Sequence, residues 1–269
     1  MSSVWKDKVI IITGASSGLG EEMAYQFAKA GAKLSLAARA TDKLEAVSKK
    51  CQTFEAESIV VTTDVSSEEQ CKQLIDETVK AFGQIDVLVN NAGFSMSAYL
   101  SDIQDLGMLS NMMQVNYMGS VYCTYYALPH LKKTKGQIVA VSSLAGKTGV
   151  PTRTGYCASK HAMNGFFDAL RVEVAEDGIH VLIACPDFVA TGIHERSKDA
   201  SGNPLGKSHT IDYSKVMTTE TCVRQIIVGM EKRKRELIMS PRGRVGQWIK
   251  LLFPGFIDNL ARKAIKKGT

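Results

Sequence analysis

Tyr156 and Lys160 stand four residues apart in the run Tyr156-Cys157-Ala158-Ser159-Lys160. On a helix that spacing puts both side chains on one face, a turn from each other. A phenol with its ordinary pKa near ~10 is a poor acid at neutral pH. A fixed ammonium beside it would lower that value and let the oxygen exchange a proton with a substrate. Ser143 lies thirteen residues upstream, just past the apolar run Gln137-Ile138-Val139-Ala140-Val141, so a short loop would return its hydroxyl to the tyrosine. Tyr-x-x-x-Lys by itself occurs in many helices with a solvated lysine. Its meaning rests on the elements around it.

Lys8-Val9-Ile10-Ile11-Ile12-Thr13 has the length and apolar continuity of a buried strand. It runs into Gly14-Ala15-Ser16-Ser17-Gly18-Leu19-Gly20, after which Met23, Ala24, Phe27 and Ala28 recur at helical spacing. Glycines permit a tight turn and close backbone approach, and a helix N-terminus offers free N–H groups and a positive dipole end. Together they suit a diphosphate. Gly14, Ser16, Ser17, Gly18, Leu19 and Gly20 are therefore the predicted cofactor cradle. Helical periodicity follows at 42–57, 67–82, 108–132 and 154–177, with strands at 33–38, 58–63, 85–89, 136–142 and 179–185. Such βα repeats predict an α/β fold, a doubly wound parallel sheet with helices on both faces. No linker, repeat or low-complexity tract interrupts it, which predicts one domain.

The glycine spacing is T-G-x-x-x-G-x-G, followed by Asp64-Val65, Asn90-Asn91-Ala92-Gly93, Asn116, Ser143, Tyr156 and Lys160 in that order. Over about residues 6 to 240 this set resembles the short-chain dehydrogenase/reductase family, and the combination is far more specific than any one motif. The resemblance implies a Rossmann fold and an oxidoreductase. Hydride would pass from nicotinamide to a carbonyl carbon, Tyr156 would donate the proton, and Ser143 would orient the oxygen. Lys160 would lower the Tyr156 pKa and hold the nicotinamide ribose, and the Asn116 carbonyl would hold a water that resupplies protons. Ser142 competes for the serine role, but the interval to Tyr156 favours Ser143. Ser159 is expected to pack near the cofactor or cap a backbone group. His161, one residue past Lys160, faces about 100° away and is assigned to packing or the surface.

The same resemblance assigns the cofactor contacts. Asp64 would meet the adenine amino group, Val65 the ring, and Asn90 the adenosine ribose, while Asn91 shapes the turn and Ala92-Gly93 permits close approach. Thr191 and the Val189 backbone would bind the nicotinamide carboxamide, and Pro186 is a further cofactor contact. The second strand ends in Ala38-Arg39, without the acid that would hold the 2′-hydroxyl of NAD. Arg39 suits a 2′-phosphate, which points to NADP(H) over NAD(H). Asp187 departs from the Pro-Gly usual in the family; it is expected either to tune the pocket or to point to solvent.

Residues 192–217 are polar and nearly aperiodic, a length of loop that is functional or disordered; they are read as a substrate loop at the carboxyl end of the sheet. Phe94, Ser95, Leu144, Val150, Pro151 and Phe188 are its expected companions as pocket walls, suiting an apolar carbonyl compound. The catalytic domain is set at 1–241, and 242–269 forms a basic C-terminal helical extension. Of the net charge of +6, all belongs to Arg242–Thr269, with seven Lys/Arg against one acid. In this extension Val245, Trp248, Ile249, Leu252 and Phe253 keep helical spacing. After Pro254-Gly255, so do Phe256, Ile257, Leu260, Ala261, Ala264 and Ile265. Arg262, Lys263, Lys266 and Lys267 lie opposite. The segment is built to rest on an anionic membrane surface, or to cover the pocket or a subunit partner.

The hydrophobic share of 45% and charged share of 22% are ordinary for a globular domain. Six cysteines without a C-x-x-C pair predict reduced thiols and neither a disulfide frame nor a metal site. No apolar run reaches the ~18 residues of a spanning helix. The first residues lead directly into a strand, leaving no room for a secretion signal. The expected location is cytoplasmic, with peripheral membrane contact through 245–267 left open. Nucleic-acid binding finds no aromatic platform, and a hydrolase finds no G-x-S-x-G elbow. The family resemblance implies a homodimer or homotetramer. The prediction is an NADP(H)-dependent reductase or dehydrogenase; the alternative from another class is a non-catalytic NADP(H) sensor or scaffold.

Overall fold

A computed structural model describes residues 3–206 and 216–266. Seven strands form one parallel sheet: β1 Val9–Thr13, β2 Lys33–Ala38, β3 Ser58–Thr62, β4 Val87–Asn90, β5 Gln137–Val141, β6 His180–Cys185 and β7 Glu236–Ile238. Their order is β3-β2-β1-β4-β5-β6-β7, so the chain turns back on itself between β1 and β4. At such a reversal the helices leave to opposite faces, opening a crevice at the carboxyl ends of the strands. The continuous apolar runs of β1, β4 and β5 are buried as the sequence predicts.

Helices α1 Gly18–Lys29, α2 Thr41–Gln52 and α7 Thr219–Glu231 cover one face, with Trp5 and Phe27 edge to face at its rim. On the other lie α3 Glu68–Phe82, the composite helix α4 Gly107–Met113 to α5 Gly119–Thr134, and α6 Thr154–Glu173. A π-helical turn, Gln114–Met118, joins α4 to α5 and carries Asn116. Such bulges recur at functional sites because they re-aim one side chain within a continuous helix.

Two helices end earlier than their periodicity suggests. α2 stops at Gln52 because the chain turns through Glu55 at φ 63°, and α6 stops at Glu173 ahead of Gly178 at φ 75°. The sequence did not foretell α7 or β7, which follow the aperiodic loop. Within that loop, Lys198 bridges to Met96 and Pro204, docking it on the segment after β4; the part at 207–215 lies outside the described residues. Beyond β7, α8 Pro241–Leu252 and α9 Pro254–Lys266 form the expected extension, broken at Pro254. All six cysteines are free and buried.

Candidate active site

The glycine turn is built from three different close approaches. A Cβ at Gly14 would stand 2.9 Å from the Ala92 Cα, and Gly14 also has φ 67°. At Gly20 it would reach the Gly14 carbonyl oxygen at 2.3 Å. At Gly18, φ 62°, it would press on Thr191. The turn is braced by Thr13, whose buried hydroxyl donates to the Val89 carbonyl and accepts from the Asn91 and Ala92 N–H groups. Asn91 Nδ2 donates to the carbonyls of Thr13 and Gly14, matching its expected turn-shaping role. Ser17 precedes α1 without capping it, so the first amide groups of the helix keep their donors for a ligand. This cradle, narrow and rich in unspent N–H groups, fits a diphosphate. Arg196, which sequence reasoning missed, donates to the Thr191 carbonyl and lies 3.7 Å from the Cβ position of Gly18.

The adenosine side is arranged around Asp64. Its carboxylate accepts from the Ser66 N–H and hydroxyl at 3.0 and 2.7 Å. Burial alone would raise its pKa; those bonds and the nearby Arg39 charge bring it below the usual carboxylate value. Val65 is buried against Gly119, and Asn90 turns its amide to the Thr124 hydroxyl at 2.9 Å, leaving its own carbonyl oxygen without a partner. Arg39 is exposed at the end of β2.

The chemical residues converge because α6 buries one stripe: Tyr156, Ser159, Lys160, Met163, Asn164 and Phe167. The stripe follows helical spacing, so burying Phe167 in the core also buries Tyr156 and Lys160. Asn164 Nδ2 donates to the Gly146 carbonyl at 2.8 Å, locking the turn after β5 onto α6. That turn presents Ser143 to the Tyr156 phenol. Ser142 points the other way, to the Lys160 carbonyl. Burial pushes the Tyr156 pKa up, while the Ser143 hydroxyl and then the Arg153 charge pull it down, leaving a net rise.

The Lys160 Nζ lies over the Tyr156 ring, 5.9 Å from its centroid, and donates to the Val141 carbonyl at 2.8 Å. Burial brings its own pKa down to about 8. Arg153, a residue the sequence reading passed over although it stands one turn before Tyr156, adds a cation that pulls the phenol pKa down.

Asn116 clamps two elements. Its Oδ1 accepts from the Phe94 N–H at 2.9 Å, and its Nδ2 donates to the Phe94 carbonyl and the Ser159 hydroxyl, each at 3.0 Å. Ser159 also donates to the Tyr156 carbonyl, the backbone role expected of it. The Asn116 carbonyl accepts from the Ser120 hydroxyl at 3.1 Å. Gly93 lets the clamp close, since a Cβ there would meet Asn116 Oδ1 at 2.9 Å and Lys160 Nζ at 3.7 Å. His161 is exposed and bonds the Cys157 carbonyl, in keeping with its surface assignment.

In front of Ser143 and Tyr156 opens a cavity of about 690 Å³. Leu19, Ser95, Leu144, Val150, Pro151, Pro186, Phe188, Val189 and Thr191 line it, as do Ile193 and His194 of the loop. Phe94 does not. Neighbours along an extended segment point opposite ways, so Gly93 and Ser95 face this cavity while Phe94 lines a second one, of about 390 Å³, with Met108 and Lys198. The remaining wall comes from Val245, Ile249, Ile257 and Leu260 of α8 and α9. Asp187 does not face solvent: Arg242 grips its carboxylate at 2.6 and 2.7 Å, and Ser240 donates at 2.7 Å. Burial would raise the Asp187 pKa, but these partners hold it below the ordinary value.

The short chain dehydrogenase family model matches residues 8–202. The chain belongs to the short-chain dehydrogenase family. Relatives agree: a dehydrogenase/reductase SDR family protein 7-like of Dictyostelium discoideum is 35% identical over 267 residues, covering 97% of this chain and 83% of that protein. An 11-beta-hydroxysteroid dehydrogenase-like 4A of Arabidopsis thaliana is 38% identical over 250 residues, covering 91% and 79%. In fold the chain is similar to a short chain dehydrogenase/reductase from Burkholderia phymatum in complex with NAD, with TM-score 0.83, 25% identity and coverage of 95% and 96%. As a short-chain dehydrogenase it is an oxidoreductase that binds a nicotinamide dinucleotide.

Proposed function

We propose that this short-chain dehydrogenase reduces an apolar carbonyl compound with NADPH, or oxidises the matching secondary alcohol with NADP. The observation that carries the reading is the junction of Ser143 and Tyr156 at the mouth of the cavity, with Lys160 buried behind them. When bound, the dinucleotide supplies or accepts hydride. Tyr156 holds the proton given to the carbonyl oxygen. Ser143 hydrogen-bonds that oxygen and stabilises its growing charge. Lys160, anchored on β5 and next to Gly93, holds the nicotinamide ribose, and Asn116 fixes the Gly93–Ser95 segment against α6. The largely apolar cavity wall supports a hydrophobic substrate, in line with relatives named for hydroxysteroids. Arg39, without a carboxylate at the end of β2, supports the 2′-phosphate of NADP(H).

The test is NADPH oxidation by the purified protein against aliphatic, aromatic and steroid carbonyls, with NADH in parallel. Turnover with NADPH, faster than with NADH, is expected. Tight NADPH binding with no turnover of any carbonyl, or of the matching alcohols with NADP, would instead favour a non-catalytic sensor.

The same proposal covers the exposed surfaces. Tyr125 of α5 and Val172 of α6 are exposed apolar side chains on the long helices proposed to pair two copies. The α8–α9 segment, whose outer face is apolar and basic, is proposed to rest on an anionic lipid surface while its inner face closes the cavity.

A further inference from the structure

Arg153 sits at the N-terminal boundary of α6, lining the substrate cavity three residues before Tyr156. Its surroundings are poor for a cation kept only for stability. The start of a helix is the positive end of its dipole, where cations are disfavoured. Burial lowers the Arg153 pKa. Among the described residues no carboxylate forms an ion pair with it. Its one side-chain hydrogen bond among the described residues, from Nη2, goes to His194 Nδ1 at 3.1 Å. That imidazole, brought down to about 4 by burial and by the same guanidinium, is neutral at pH 7 and cancels no charge. The Phe188 ring, its centroid 5.8 Å from the guanidinium carbon, adds a weak cation–π contact. Other basic residues around the cavity are committed: Lys147 pairs with Glu236, Arg242 with Asp187, and Lys160 donates to Val141. A guanidinium has five N–H donors, and among the described residues this one keeps most of them unspent at the edge of an apolar chamber.

We infer that Arg153 receives an anionic group, a carboxylate or its sulfate equivalent, carried by the otherwise apolar carbonyl substrate. The substrate class is then an oxo acid with a hydrophobic body, docked by its anion at the start of α6 and by its carbonyl at Ser143 and Tyr156. The inference rests on the reductase reading and narrows it.

The experiment compares medium-chain and alicyclic oxo-carboxylic acids with their own methyl esters, using NADPH. Wild-type kcat/KM should favour the acid by about tenfold or more, chiefly through KM, as a charge-assisted bidentate contact would give. In Arg153→Gln the acid-to-ester ratio should collapse towards one, and in Arg153→Lys it should be partly kept. The ratio is the right readout because any effect of Arg153 on the Tyr156 pKa touches acid and ester alike. Equal wild-type rates for acid and ester, or a ratio unchanged in Arg153→Gln, would overturn the inference and leave the reductase standing. Should nothing turn over, calorimetric titration of the same pairs onto the NADP-saturated protein reads the anion preference directly: tighter acid binding lost in Arg153→Gln supports it, and equal binding refutes it.

Discussion

Burial holds the Lys160 ammonium at a pKa of about 8, against an ordinary 10.5, with the Val141 carbonyl as its chief partner. The sign of the consequence is fixed by linkage. Between about pH 8 and 10.5 the unfolded chain carries a proton that the folded chain lacks, so this group's contribution to stability improves as pH rises through that window. Denaturant unfolding of Lys160→Met beside wild type should show the difference moving in favour of wild type by about 3 kcal/mol across it. A flat difference would mean that the lysine is not buried as a charge. For the neighbouring phenol, Tyr156→Phe is expected to cut kcat by about 10²–10⁴-fold, the worth of a general acid, with NADPH affinity within a few-fold. Steady-state kinetics and fluorescence titration separate the two effects. Arg39→Asp should weaken NADPH binding by about ten- to a hundredfold, as loss of a charge-assisted contact predicts, and shift preference to NADH; an unchanged ratio of the two cofactors would remove Arg39 from the 2′-phosphate.

At the scale of elements, Asp187 lines the cavity and also does what neither sequence expectation foresaw. It fastens the loop after β6 to the first turn of α8 through Arg242 and through Ser240, which also caps that helix by accepting from the Gly243 N–H. The loop that carries Val189 and Thr191 and the helix that closes the cavity are thereby one mechanical unit. Asp187→Ala should cost about 1 kcal/mol, modest because Arg242 is largely exposed. Hydrogen exchange should accelerate across 241–252 while β1 and β5 keep their protection; uniform exchange throughout the chain would argue against a local fastening.

For the whole molecule, exposed apolar surface is concentrated on α8 and α9. Ile249 and Ile257 line the cavity, but Trp248 is 66% exposed, Leu251 and Leu252 are each 73%, and Phe253 is 64%. No described helix is long and apolar enough to cross a membrane. An outward apolar face flanked by Arg262 and Lys263 is suited to lie in an interface, at about 0.8 kcal/mol per buried CH₂ with added attraction to anionic lipid. Co-sedimentation with vesicles containing anionic phospholipid should retain the protein, and Trp248→Ser with Phe253→Ser should release it. Retention that ignores lipid charge, or a concentration-dependent dimer lost in the same variant, would assign the face to a second copy instead.

Periodicity and motif spacing by themselves determined the parallel α/β sheet, the glycine cradle and the grouping of Ser143, Tyr156 and Lys160, because strand burial, tight turns and helical facing are local properties. Alternation by twos and by 3.6 survives in any tertiary setting that buries one face. Only the folded chain decided which groups stand next to one another across long intervals. Asp187 meets Arg242, the α8–α9 wall closes over Phe188, Phe94 turns to another cavity, and the Arg153 charge bears on the phenol. None of these leaves a periodic trace, since each depends on where two distant segments end in space. The α7 helix and β7 strand were missed for a related reason: the aperiodic stretch before them hides the βα rhythm that the sheet itself continues.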